Sequence, residues 1–165
     1  MHMTRRTWVA VLAVTLAVTA GGAAFGRGSG DPIAADQTLE MLHIADGYKF
    51  LDVGRPWKGE LDPSPGDTVF LRYKLRNLAN TTTLGKVMTK CVATFRTNFK
   101  CAGTVFLEGG TVELVSTIDW ASDYPFTKAV AGGTGLYRNV GGEAWILAPD
   151  ADGNETIVLH LSALD

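Results

Sequence analysis

The chain has 165 residues, 46% of them hydrophobic and 19% charged, with 15 Lys and Arg against 17 Asp and Glu for a formal charge of −2. That length and apolar fraction suit a single domain with its own core and exclude a disordered polar chain, and the slight acidic excess disfavours a nucleic-acid partner. Two cysteines without a nearby histidine pair do not make a zinc site, so no metal is expected.

Met1 to Arg6 carries Arg5 and Arg6 and no acid, Trp8 to Ala20 is an unbroken run of apolar residues and threonine, and Gly22-Ala23-Ala24 offers small residues to a signal peptidase. Residues 1–24 therefore read as a secretory signal peptide. A signal anchor is the alternative, but the run is shorter than the roughly 20 residues that span a bilayer. Thr4-Arg5-Arg6-Thr7-Trp8-Val9 also has the form of a twin-arginine signal, which leaves two bacterial export routes open. The expectation is a secreted protein with no membrane segment after cleavage, a flexible lead-in over 25–38 and one β domain over 39–165.

From Leu39 onward, short apolar or β-branched runs alternate with Gly, Pro, Asn and Asp clusters. Strands are predicted at Leu39–Ala45, Thr68–Arg76, Val87–Phe95, Phe99–Leu107, Thr111–Trp120, Thr127–Ala131, Glu143–Ala148 and Thr156–Ala163. The punctuation between them includes Asp62-Pro63-Ser64-Pro65-Gly66-Asp67, Arg96–Asn98, Gly109-Gly110 and Pro149–Asn154. This is an all-β pattern of consecutive antiparallel strands. Eight such strands are enough to close a single eight-stranded antiparallel β-barrel around side chains or one small ligand, and a sandwich is the rival arrangement.

Along these elements several side chains are candidates for chemistry. His43 lies in the first strand and His160 in the last, each suiting a packed or rim position better than that of a base. Asp52, between apolar residues and before Gly54, reads equally as an inward acid or a turn residue. In the second strand Val69, Leu71, Tyr73 and Leu75 share one face, which places Tyr73 inward as a hydrogen-bond donor or a satisfied core tyrosine. Cys91 and Cys101 flank a polar tip at Arg96-Thr97-Asn98, so export implies a disulfide across that hairpin. Asp119 alternates with Thr117 and Val115, and its side depends on which face of its strand is buried. Glu143 shares a face with Trp145 and Leu147. Buried beside a tryptophan, its carboxyl would rise toward neutrality as a general acid or base requires, whereas at a wet rim it would do no chemistry. No Gly-x-Ser-x-Gly elbow is present, which disfavours triad hydrolysis.

The run Ala131-Gly132-Gly133-Thr134-Gly135-Leu136-Tyr137-Arg138-Asn139-Val140-Gly141-Gly142 suits a tight corner between strands. A phosphate-cradling loop is the other use of such glycines, but no helical start follows Gly135. The run resembles the G-G-T-G-x-[FY]-R-x-x-x-G signature of dirigent proteins and, more loosely, the G-G-[TA]-G-[IL]-[FY] stretch of allene oxide cyclases. Gly85-Lys86, Cys101-Ala102-Gly103-Thr104 and Phe50-Leu51-Asp52 are similar to further dirigent stretches. The resemblance implies a β-barrel whose apolar cup folds a small hydrophobic intermediate into one conformer. Cyclisation or coupling would then give one stereoisomer without a cofactor. It implies a homo-oligomer, trimer or dimer. It also marks Arg138 as a residue that fixes an anionic group or pairs with a carboxylate such as Asp119. Glu143, Asp52 and Tyr73 are then the candidate catalytic groups, with Arg138, Asp119 and Trp145 as ligand contacts. A non-catalytic carrier barrel for an apolar molecule and a pure assembly module are the rival functions.

Overall fold

A computed structural model describes residue 33 and residues 36–53 and 63–164, so the signal-peptide reading of residues 1–24 and most of the lead-in lie outside the described residues. Eight strands follow one another: β1 (Gln37–Leu51), β2 (Thr68–Arg76), β3 (Thr83–Phe95), β4 (Asn98–Leu107), β5 (Gly110–Asp119), β6 (Phe126–Gly133), β7 (Val140–Leu147) and β8 (Glu155–Ala163). Each pairs antiparallel with its neighbour, and β8 returns to pair with β1, so the sheet is a closed barrel. A sandwich is excluded. One short 3₁₀ turn, η1 (Gly135–Tyr137), interrupts the glycine corner between β6 and β7.

The largest difference from the predicted strands is at β1, which runs on past Ala45 to Leu51. Asp46-Gly47 has the composition of a turn, but it forms a bulge: the register with β2 shifts between Ala45 and Gly47, where glycine holds φ +136°. Asp46 is fixed there by Arg72 Nε at 2.7 Å and Lys74 Nζ at 2.6 Å. Only Gln37 to His43 pair with β8, and the rest of β1 pairs with β2 alone.

The two ends of the barrel differ. At one end η1 turns inward, Leu136 N–H donates to the Gly109 carbonyl at 2.9 Å, Ile33 N–H donates to the Leu136 carbonyl at 3.0 Å, and Tyr137 is buried. Gly135, at φ +60°, lets this turn pass against Gly109, where any Cβ would overlap the Gly109 carbonyl oxygen. Behind this plug the interior is filled by Leu75, Val87, Val105, Val112, Leu114, Val140, Ile157, Leu159 and Leu161. A smaller cluster on β2 to β4, including Val69, Ala93 and Phe99, continues toward the other end. There Cys91 and Cys101, directly opposite one another in the β3–β4 register, form the expected disulfide. Among the described residues no helix is long and apolar enough to cross a membrane.

Candidate active site

The end opposite the plug stays open. Inward positions near that end leave a cavity of about 100 Å³ whose mouth opens to solvent. Its walls are apolar and aromatic: Leu71 and Tyr73 from β2, Ile118 from β5, Trp120 and Tyr124 from the β5–β6 connection, Phe126 from β6 and Ile146 from β7, with the Cys91 end of the disulfide in the floor. A volume of this size admits about one ring rather than a drug-sized molecule, whose sites usually measure some 300–1,000 Å³.

Besides Tyr73 and Tyr124, three titratable side chains enter this wall from separate strands: His43 from β1, Lys128 from β6 and Glu155 from β8. Strand alternation places each of them. His43 lies two residues beyond buried Met41, Lys128 lies between Phe126 and Val130, and Glu155 is two residues before buried Ile157. Because β8 begins opposite His43 in the β1 register, the two side chains meet, with His43 Nδ1 at 2.8 Å from Glu155 Oε2. Tyr124 donates its hydroxyl to Glu155 Oε1. The Tyr73 ring stacks on His43 with centroids 3.7 Å apart.

The electrostatics assign protonation states. His43 is only 4% exposed, and burial lowers its pKa against the opposing pull of Glu155, so the imidazole is neutral at neutral pH. The contact is thus a hydrogen bond from a neutral ring rather than an ion pair, with the proton on Nδ1 because an ionised carboxylate only accepts. Burial pulls the Glu155 carboxyl upward, but the His43 and Tyr124 hydrogen bonds and the Lys128 charge outweigh it and leave the carboxyl below its usual range. Burial pushes the Tyr73 phenol up to about 12 and raises Tyr124 as well, so both remain donors. Lys128 is lowered by desolvation, which the Glu155 charge partly offsets.

Of the residues singled out from sequence as catalytic or ligand-binding, Tyr73 alone lies in this cup. Glu143 and Trp145 face outward, so of the two positions open to Glu143 it takes the one outside the interior: the inward residues of β7 are Ala144 and Ile146, both buried. On the outer surface Trp145 Nε1 donates to Glu143 Oε2 at 3.1 Å, and its ring packs edge-on against His160. Asp52 follows the end of β1 and is exposed. Arg138 is exposed beside η1 at the plugged end, whereas Asp119 ends β5 at the open end, so the two do not pair. Asp119 caps its own turn, held below the ordinary carboxylate range by the Thr97 hydroxyl and the Ala121 N–H.

Sequence reasoning misses Glu155, Lys128, Tyr124 and Trp120 as site residues, and it assigns His43 to packing. Glu155 is obscured by the turn-like Pro149–Asn154 stretch, next to which the predicted strand starts at Thr156 rather than Glu155. Extending the Leu161, Leu159, Ile157 alternation two residues back finds it. Among the described residues no cluster of three or more His, Cys, Asp or Glu is arranged to hold a metal ion.

No family model and no curated protein matches the chain. Solved structures do. A pyocyanin demethylase superposes with a TM-score of 0.64 at 25% identity, over 76% of this chain and 100% of that one. A pterocarpan synthase dirigent protein gives 0.58 at 18% identity over 80% and 97%, and an exo-specific intermolecular Diels-Alderase gives 0.57 at 12% over 77% and 98%.

Proposed function

Given a barrel of the dirigent and allene oxide cyclase-like fold, we propose that this protein binds a small hydrophobic intermediate in the open cup and directs its stereoselective cyclisation or coupling. The observation that carries this reading is the convergence of Glu155, His43, Tyr124, Tyr73 and Lys128 within one otherwise apolar cup. A carrier has no need of a desolvated carboxylate whose two oxygens are oriented by separate donors. A general base does, because the donors keep it ionised at neutral pH and aim its remaining lone pairs at the ligand. The structural neighbours include a dirigent protein and a Diels-Alderase, and both names denote control over how a product forms. The demethylase indicates that the scaffold accommodates other chemistry, so the reaction class rests on the cup.

In this mechanism the aromatic wall of Trp120, Tyr124 and Phe126 orders the ligand into a reactive conformer, which removes entropy from the barrier. Glu155 accepts a proton from the ligand, supported by His43, and the tyrosine hydroxyls donate to oxygen that gains charge. Tyr73 fixes the plane of His43 by stacking. Glu143, Asp52, Arg138, Asp119 and Trp145 take no part in this scheme. Export, with the Cys91–Cys101 bond kept oxidised outside the cytoplasm, belongs to the same proposal.

Native mass spectrometry of the mature protein purified from its own host tests the reading. A bound small apolar molecule, turned over by the wild type and not by Glu155→Gln, is the expected result. An empty protein that binds no aromatic ligand at the cup would overturn it, and the same spectrum gives the oligomeric state.

A further inference from the structure

Charge is unevenly placed along the chain. Thr68 to Leu107 holds seven Lys and Arg and no Asp or Glu, whereas Glu108 to Asp165 holds nine acids and two cations. Because β2, β3 and β4 are neighbours in the closed barrel, the first stretch makes one side of its outer wall. Strand alternation decides what that side shows. With Val69, Val87, Cys91 and Cys101 buried inside, Phe70, Met88, Lys90 and Lys100 point out. The register then sets a cation directly beside an apolar side chain: Lys86 against Phe106, Lys90 against Phe70 and Lys100 against Val92. In two of these pairs the ammonium lies over the ring, Lys86 Nζ at 5.1 Å from the Phe106 centroid and Lys90 Nζ at 5.9 Å from that of Phe70.

The barrel itself satisfies neither half of this pattern. Asp46 on β1 pairs with Arg72 and Lys74, and Glu113, which borders the face on β5, is engaged by the Thr104 hydroxyl at 2.8 Å. Lys86, Lys90 and Lys100 have no carboxylate partner among the described residues. Lys86 also stands directly opposite Lys74, a pairing that disfavours the sheet. Phe70 is 40% exposed and Met88 50%, and Phe95, at the tip of the β3–β4 hairpin beside Arg96, is 64% exposed. Apolar side chains grouped on one face among cations mark a contact surface.

We infer that the β2–β4 face docks the barrel on a membrane surface carrying anionic phospholipid. Its lysines meet the negative potential of the headgroups, while Phe70, Met88 and Phe95 enter the headgroup boundary and leave water. A soluble polyanion would answer the charge and leave those apolar side chains wet. Small Ala102 leaves a shallow depression between Lys90 and Lys100, which seats a headgroup phosphate between two ammonium groups. β7, opposite β3 in the ring of strands, carries exposed Glu143 and faces away from the lipid. None of these residues lines the cup, so the docking face is independent of the chemistry proposed there.

Flotation of the mature protein with vesicles tests this. Vesicles of phosphatidylcholine mixed with an equal part of phosphatidylglycerol are compared with vesicles of phosphatidylcholine alone. The expected result is binding at least about tenfold tighter to the anionic vesicles, reversed by high salt. Lys90→Gln should weaken it about fivefold, the step for one basic residue near such a surface. Met88→Ser should weaken it while leaving its salt dependence in place. Arg138→Gln, which removes a cation exposed at the plugged end, should bind as the wild type does. Equal affinity for the two kinds of vesicle would overturn the inference. So would binding to soluble heparin that matches the vesicles and is unchanged in Met88→Ser. Self-association that shields Lys90 and Lys100 from acylation without vesicles would assign the face to a second copy of the chain, and would overturn the inference too. The two kinds of vesicle are compared on the wild type, so the outcome does not depend on whether a variant folds.

Discussion

Glu155 Oε2 and His43 Nδ1 lie 2.8 Å apart although 112 positions separate them in the chain. The contact crosses the seam at which the last strand closes on the first, and Tyr124 holds the other carboxylate oxygen. The chemistry proposed for the cup turns on this carboxylate, and so do the first two predictions.

Glu155→Gln keeps the shape of the side chain but removes its charge and its capacity to take a proton. Turnover of the native ligand should fall by about tenfold or more, the lower range for loss of a general base, while binding persists. Glu143→Gln, made on the outer face, should leave turnover unchanged. Side-by-side kinetics of the two variants check this, and equal losses would remove Glu155 from the mechanism.

Acid should destabilise the fold in two stages. The folded pKa of His43 is lowered, so its contribution is complete above about 6.5, the unfolded value, and is lost as pH falls through the lowered value. Glu155 is lowered as well, so its contribution is complete above about 4.3 and disappears at still lower pH. Urea midpoints measured from about pH 7 down to about pH 5 should decline in the wild type and hardly move in His43→Gln. A rise on acidification would mean that His43 is held as an imidazolium paired with Glu155.

The Cys91–Cys101 bond joins residues 10 apart that already face each other in the sheet. Chain-entropy arguments give a bridge of this loop length about 2–3 kcal/mol. Replacing both cysteines by alanine should lower unfolding stability by about that amount, and because Cys91 also lines the cup, affinity for aromatic probes should fall too. Denaturation and fluorescence titration of the same variant separate the two effects.

Asp67 is fully buried where the chain enters β2. Its carboxylate accepts the Ser64 N–H at 2.6 Å and the Val53 N–H at 2.7 Å, tying the end of β1 to the turn before β2. Asp67→Ala leaves both donors without this acceptor and should cost about 2–4 kcal/mol, with Asp67→Asn intermediate. Thermal unfolding and hydrogen exchange at Val53 and Ser64 report it, and an unchanged melting temperature would show that water replaces the carboxylate.

The fold was legible because strand signals are local. Turn clusters and alternating apolar residues mark all eight strands, and the Cys91–Cys101 bridge is expected from two cysteines flanking one polar hairpin tip in a chain read as exported. The site was legible only where alternation alone decides a facing, as for Tyr73 between Leu71 and Leu75. At β7 alternation separates Glu143 and Trp145 from Ala144 and Ile146 but does not say which pair is buried, and the structure buries Ala144 and Ile146. There the choice of face depends on what the neighbouring strands bring into the interior, which one strand's sequence does not contain. Glu155, Lys128 and His43 come from β8, β6 and β1. Their meeting is a property of closure, invisible in any window of sequence.

The seam between β1 and β8 also sets when the protein can begin to work. An incomplete chain could build the first seven strands as a curved sheet carrying His43, Tyr73, Tyr124 and Lys128, yet none of them would have its carboxylate. On the proposed reading, the cup is complete only with the final strand, the same element whose pairing with β1 closes the sheet's two edges. A chain ending before β8 would carry the donors of the cup without the carboxylate they orient.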